Sequence, residues 1–249
     1  MVFFRKEKKI LVVRFRGIGD FLLTLPALQL MKKQHPRWII DYLTSHEMLF
    51  SGLPYRFPYI INRPIGYDYE HSNYEENVSL PDCGIDYKEY DKVFNLINKV
   101  DFSEESNSIP RIELFAKLMN VKGKLSNTTT DIPQHSLNEC LLFHFNNSMK
   151  KKIVMQVDSK GKSRQWFFWE ELAKMFSDKY EIVFCSDKKL QFHNGMNLTG
   201  KLTLREYTAV ISLSELVISC DSSALHIAGV LNKKALGLFG SVNPVLRID

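Results

Sequence analysis

Cysteine is scarce in this chain: four thiols in 249 residues. Cys83, Cys140, Cys185 and Cys220 stand far apart, with no CxxC pair and no histidine at zinc-finger spacing. That argues against structural zinc and against a disulfide framework, and scattered thiols suit a reducing compartment. Long apolar runs are also missing. No stretch approaches the ~20 apolar residues needed to span a bilayer. The start is basic, but the apolar run after it is broken by Arg14 and Arg16, which is not the layout of a secretion signal. The expectation is a cytoplasmic protein, peripheral at most on the inner face of a membrane.

Charge of one sign is not abundant either, and the net value is only +5. Its distribution is uneven. Residues 1–38 carry nine Lys or Arg against Glu7 and Asp20, whereas residues 66–92 carry eight acids against Lys88 and Lys92. A basic amino-terminal region can attract phosphate-rich partners or an anionic membrane face, and an ordinary solvated surface accounts for it equally well. What is plentiful is apolar material, 45% of residues. A chain of this length buries roughly 70–75% of its unfolded surface and folds without staples.

The apolar residues come in an alternating order. Lys9 to Phe15 (KILVVRF) reads as a buried strand closed by Gly17-Ile-Gly19, and Asp20 to Lys33 has helical spacing through Leu23, Ala27, Leu30 and Met31. Pro26 implies either a kink or a helix that starts at Thr24 with the proline in its first turn. Trp38 to Leu43 is a second strand. Residues 62–90 mix Pro, Gly, Asn, Tyr and acids without a period and read as a long surface excursion. Asp91 to Ile97 (strand) and Ile109 to Asn120 (helix) follow, then a turn-rich connection at Asn127 to Pro133. The second half repeats the alternation: strands at Lys152 to Val157, Tyr180 to Cys185, Glu215 to Cys220 and Ala235 to Phe239, with helices at Phe167 to Phe176, Leu204 to Leu213 and Ser222 to Leu231. Such β-α-β halves predict an α/β protein of two Rossmann-like domains, residues 1–133 and 134–249, facing a cleft, with ligands beyond the carboxyl ends of the strands.

Three segments at such strand ends carry chemistry. In Arg16-Gly-Ile-Gly-Asp20, Gly17 and Gly19 let the backbone turn and approach a ligand. Leu22 stands where a dinucleotide fingerprint would have its third glycine, which argues against a nicotinamide site. Asp20 reads first as a helix N-cap, with a cleft-facing base as the alternative. In Cys220-Asp-Ser-Ser-Ala-Leu-His-Ile-Ala228, Asp221, Ser222 and Ser223 are more capping residues than one helix start requires, and the exposed amides and hydroxyls there suit a diphosphate. Asp221 would oppose phosphate, so it orders the turn or accepts from a ligand hydroxyl. His226, one turn into the helix, reads as a packing residue. In Ser159-Lys-Gly-Lys-Ser-Arg-Gln-Trp166, Lys160, Lys162 and Arg164 offer positive charge that can grip phosphate oxygens, the alternative being a solvated basic loop.

RFRGIGDFLLTLPALQLMKKQHP with IDYLTS resembles the opening of glycosyltransferase family 9, the ADP-heptose:lipopolysaccharide heptosyltransferases. ISCDSSALHIAGVLNKKALGLFGSVNP resembles that family's DS-G-x-x-H segment and LFG-x-x-x-P ending. YDKVFNL, SRQWFFWEEL and NLTGKLTLREYTAVIS add weaker matches between them. The resemblance implies a GT-B architecture and inverting, metal-independent sugar transfer with no cofactor. It also implies a nucleotide-diphosphate donor, typically ADP-heptose, and a lipopolysaccharide-type or other glycan or glycolipid acceptor. By position it makes Asp20 the general base, which lifts that reading above the cap. It places Ser159, Lys160, Arg164, Asp221, Ser222, Ser223 and His226 at the donor and Gly17 and Gly19 on the acceptor-side loop. Arg164 falls where the family usually has a phosphate-binding lysine, both being cationic, and there are departures as well: Ser223 replaces a glycine and Phe167 replaces the proline after tryptophan. The carboxyl-terminal part is also shorter than usual, because members of the family commonly continue beyond the position of Asp249. The rival readings are a nucleotide-sugar binder without catalysis and a transferase acting on protein, capsule or nucleic acid. Nucleic acid is the less favoured partner, and a nicotinamide oxidoreductase ranks last.

Overall fold

The computed structural model describes residues 7–15, 17–44, 56–60, 79–80, 84–130, 132–145 and 149–248. The expected excursion at 62–90 lies largely outside these residues, as do Arg16 and Cys83. The described residues form two compact units that part between Thr128 and Thr129. The fold is α/β, and every strand pairing in both sheets is parallel.

The first unit is built on β1 (Lys9–Val13), β2 (Ile39–Thr44), β3 (Arg56–Ile60) and β4 (Lys92–Asn95), in the order β3-β2-β1-β4. β1 has a neighbour on each side, which explains why KILVV is apolar and β-branched almost throughout and buried from Ile10 onward. Leu11, Val13 and Phe15 share a core with Leu43, Ile85, Tyr90 and Ile97. Two helices are described, α1 (Ile18–Gln34) and α2 (Arg111–Leu118), which pack on each other. α1 runs without a break past Pro26, so the expected start at Thr24 is incorrect. Its first half is buried on nearly every side, from Phe21 to Leu28, and enclosure by the surrounding core offsets the hydrogen bond that proline forgoes.

The second unit has β5 (Lys152–Gln156), β6 (Glu181–Cys185), β7 (Met196–Asn197), β8 (Leu216–Cys220) and β9 (Lys234–Leu238), in the order β7-β6-β5-β8-β9. One face of this sheet packs Ile153, Met155, Val157, Ile182, Phe184, Ile218 and Cys220 against Trp169 and Ala173 of α4 (Trp169–Phe176). α6 (Ser223–Val230) packs on β8 and β9, beside α5 (Leu204–Ser212), which in turn meets α3 (Gln134–His144). The segments β3, α3 and the two-residue β7 have no counterpart in the sequence-based expectation. α4 begins two residues later than expected, leaving Phe167 and Phe168 exposed ahead of it. Cys140, Cys185 and Cys220 are buried free thiols.

In both sheets the first strand sits between the second strand on one side and a later one on the other. Chain direction reverses across the sheet there, at β1/β4 and at β5/β8. The carboxyl ends of those pairs are where open parallel sheets bind ligands. The register places Val13 beside Asn95 and Gln156 beside Ser219, so the loops that follow start level with each other.

α5 has the clearest local start signal. The Thr203 hydroxyl accepts from the Glu206 amide (3.3 Å), and the Glu206 carboxylate accepts from the Thr203 amide (2.7 Å). Thr203→Ala is expected to cost about 1 kcal/mol. That lowers the midpoint of the calorimetric transition by roughly 2–4 °C; an unchanged midpoint would show the cap to be idle.

Candidate functional site

At the β1/β4 end of the first sheet, Gly17 caps α1 with its backbone alone. Its φ is +58°, a left-handed conformation that favours glycine. Its carbonyl accepts from the Phe21 amide at 3.0 Å, and no side chain caps the helix. A Cβ on Gly17 would stand 3.2 Å from Oδ2 of Asp20, so the absent side chain also leaves room for that carboxylate. Gly19 lies in the first helical turn.

Asp20 is not the N-cap, which corrects the first of the two readings of that residue. It sits in the first turn with both oxygens engaged by cations. Nη2 of Arg14 donates to Oδ2 at 2.6 Å, and Nη1 of Arg111 donates to Oδ1 at 2.6 Å. Arg14 is the residue just after β1 and is 2% exposed, a depth at which a guanidinium needs a carboxylate. Arg111 opens α2, behind Pro110 at the N-cap. With its other terminal nitrogen, Arg111 donates to Oδ1 of Asp101, in the turn after β4, and Oδ2 of Asp101 stands 3.9 Å from Arg14. Two guanidiniums and two carboxylates thus form a neutral quartet drawn from four segments. Burial would raise the Asp20 carboxyl, but the charges of Arg14 and then Arg111, with their hydrogen bonds, outweigh it and hold the group below its ordinary range. Burial also works against the Arg111 cation, and Asp20 and Asp101 more than compensate, pushing it up.

At the β5/β8 end of the second sheet, the two loops are joined directly. The Ser159 hydroxyl donates to the Asp221 carbonyl at 3.0 Å, and Nη1 of Arg164 donates to Oδ2 of Asp221 at 3.2 Å. Asp221 is 6% exposed, whereas the Arg164 side chain is 38% exposed. Ser222 alone caps α6, accepting from the Ala224 amide at 3.2 Å and lying 2.7 Å from the Ser219 hydroxyl. Ser223 is the first helical residue, and His226 follows within the helix, half-buried. The three would-be caps therefore divide their tasks: one grips Arg164, one caps, one begins the helix. Lys160 and Lys162 are exposed on the same loop. Glycines set this loop's shape. A Cβ on Gly161 would stand 3.0 Å from Nε of Arg164, and one on Gly240, just after β9, would stand 2.8 Å from the Ser163 carbonyl.

The sequence-chosen residues Gly17, Gly19 and Asp20 thus gather in the first unit, and Ser159, Lys160, Arg164, Asp221, Ser222, Ser223 and His226 in the second. Sequence reasoning passed over Asp101 and Arg111, and noticed Arg14 only as an interruption in an apolar run. A charged residue ending an otherwise buried strand was the available signal. Among the described residues, no group of three or more His, Cys, Asp or Glu is placed to hold a metal ion, and no helix is long and apolar enough to cross a membrane.

The sequence profile of glycosyltransferase family 9 (heptosyltransferase) matches residues 80–247. Lipopolysaccharide heptosyltransferase 2 of Escherichia coli (strain K12) is 21% identical over 95% of this chain and 84% of its own. Among solved structures, a glycosyl transferase family 9 protein from Veillonella parvula DSM 2008 superposes with a TM-score of 0.74 at 15% identity, covering 98% of this chain and 85% of that one. E. coli ADP-heptose lps heptosyltransferase II gives 0.71 at 17% identity, covering 97% and 88%. These similarities extend over both units.

Asp20 links the quartet to acid stability. Its folded-state pKa lies below the unfolded value of 3.8, so its contribution is fully present above that value and is lost as pH falls through the folded pKa. Removing one partner from a buried ion pair costs about 3 kcal/mol. Urea unfolding should therefore place Asp20→Asn about that far below wild type at pH 7, with the gap narrowing below about pH 4. A gap that stays constant or widens on acidification contradicts the reading.

Proposed function

Because the chain belongs to glycosyltransferase family 9, whose profile matches residues 80–247, we propose that this glycosyltransferase moves a heptose from a nucleotide-diphosphate donor to a lipopolysaccharide-type glycan acceptor, with inversion and without a metal ion. The relatives support donor and acceptor class, since those in hand are named for ADP-heptose and for lipopolysaccharide. The architecture proposed with it is the two-domain GT-B arrangement, with residues 1–133 taking the acceptor and 134–249 the donor.

The observations that support the chemistry are made in each unit separately: an ionised acid at the switch point of the first and a cationic loop at a helix start in the second. In the second unit, the start of α6 at Ser222 and Ser223 provides amides and a helix dipole that favour negative charge. Arg164 supplies a guanidinium beside them, anchored to Asp221 at one nitrogen and still partly exposed. A diphosphate bound there meets fixed dipoles and a cation that can stabilise the departing charge. Ser159 ties the loop to the Asp221 backbone and so holds the seat in shape, and the exposed Lys160 adds mobile charge. His226, half-buried in α6, lies one turn after that helix start.

In the first unit, Asp20 is the base that takes the acceptor hydroxyl's proton as the oxygen attacks the anomeric carbon from the side opposite the diphosphate. Both of its oxygens are engaged, so it gives up part of one hydrogen bond to receive the acceptor. Staying ionised at neutral pH keeps it ready to accept a proton. Gly17 and Gly19 leave the backbone thin beside it, which suits close approach of an acceptor sugar.

Two variants measured with ADP-heptose and a core-glycan acceptor test this. Asp20→Asn should lower kcat by about 10²–10⁴-fold while leaving the donor's thermal shift in place. Arg164→Met should weaken donor binding by about tenfold or more, the value of one charge-assisted hydrogen bond. Wild-type turnover by Asp20→Asn removes that residue from the reaction, and unchanged donor affinity in Arg164→Met removes the guanidinium from the donor seat.

A further inference from the structure

Arg111 shares one cation between two carboxylates. Nη1 donates to Oδ1 of Asp20 at 2.6 Å, and Nη2 donates to Asp101. The side chains of Arg111, Asp20 and Asp101 are 14%, 16% and 14% exposed, so water screens these contacts weakly. Arg111 begins its helix behind Pro110, and its neighbours Ile112, Leu114 and Phe115 are buried, so the backbone beneath the guanidinium is fixed. Arg14 is placed differently. It is buried beside β1, holds the other oxygen of Asp20 and reaches the Leu96 carbonyl at 3.4 Å.

Resting on Asp20 as the base, we propose that Arg111 is a positioning residue for the transfer reaction: anchored by Asp101, it fixes the Asp20 carboxylate in one orientation and holds it ionised while the acceptor binds. Among the described residues, the charged and titratable groups around Asp20 are Arg14 at the end of β1, Arg111 on α2, Asp101 in the turn after β4 and Tyr42 on β2. Tyr42 stays neutral, because burial, to which Asp20 adds a smaller effect, pushes its phenol well up. Only the two guanidiniums favour the charged form of Asp20, and burial opposes them as the largest single influence. With one guanidinium removed, the balance shifts toward burial and the acid takes up a proton at higher pH than in wild type. Asp101 acts at one remove. It carries no proton in the reaction, but without it Arg111 has only Asp20 to hold and its orientation is no longer set from behind.

The test is the pH profile of kcat for wild type, Arg111→Gln, Arg111→Lys and Asp101→Asn, with donor and acceptor KM recorded throughout. Wild type should hold kcat level on the acid side down to the limit of folding. Arg111→Gln should gain an acid limb that wild type lacks, donor KM staying within about twofold. Arg111→Lys, which keeps the charge and folds where Gln fails, should keep the level profile with kcat reduced about tenfold or less. Asp101→Asn should lower kcat about tenfold and gain no limb. A uniform fall in Arg111→Gln with no limb overturns the proposal, as does an effect confined to acceptor KM. A loss beyond about a hundredfold in Arg111→Lys at every pH also overturns it, because charge would then not be the operative property. Each of these outcomes is separate from the base assignment, which stands or falls with Asp20→Asn alone.

Discussion

Parallel pairing on both sides of one strand decides where each unit can do chemistry. Once β1 lies between β2 and β4, and β5 between β6 and β8, the chain must leave each central strand in one direction and return to its other flank later. The two loops leaving that pair start side by side at the carboxyl edge of the sheet. Everything assembled into a candidate site comes from those loops or from the helices they start: Arg14 and Asp101 after β1 and β4, and Arg164 and Asp221 after β5 and β8.

The two strand-end clusters use the same pair of charges in opposite ways. In the first unit, two guanidiniums and two carboxylates satisfy each other below the surface, and taking any one away strands a charge that the interior cannot solvate. The product of that arrangement is a carboxylate with a fixed state and direction. In the second unit, one carboxylate is nearly buried while its arginine remains 38% exposed, so the ion pair works as a mount for a cation with capacity left over. A closed set suits a group that must not change between turnovers. An open pair suits one that must take and release a charged ligand.

Much of this was readable from the chain, and the parts that were not share a cause. β1, α1, β5, β8 and α6 announce themselves through β-branched runs and glycine or serine boundaries, which are local signals. The Gly17-Ile-Gly19-Asp20 and Asp221-Ser222-Ser223 segments fall at sheet switch points because punctuation after a buried strand is itself local. The helix at 134–144 was missed because Gln, His, Asn and Glu interrupt its apolar residues, and its packing on α5 supplies the order that its sequence does not. Asp101 and Arg111 were passed over for a deeper reason. Arg111 meets Asp20 across 91 positions, and no spacing rule connects residues so far apart. Asp20 misled for the converse reason. Asp beside a glycine at a helix start has the local look of a cap, yet the glycine backbone begins the helix unaided and frees the acid for Arg14 and Arg111.

Gly240 lies some eighty positions after the basic loop, yet its missing side chain admits the Ser163 carbonyl one residue ahead of Arg164. Gly161 clears space for the same guanidinium from the other flank. The aim of this cation is therefore written at two distant places in the gene, neither of which need touch a ligand. Any side chain at Gly240 would press on the Ser163 carbonyl, so the Leu-Phe-Gly turn limits the shape of the loop in front of it.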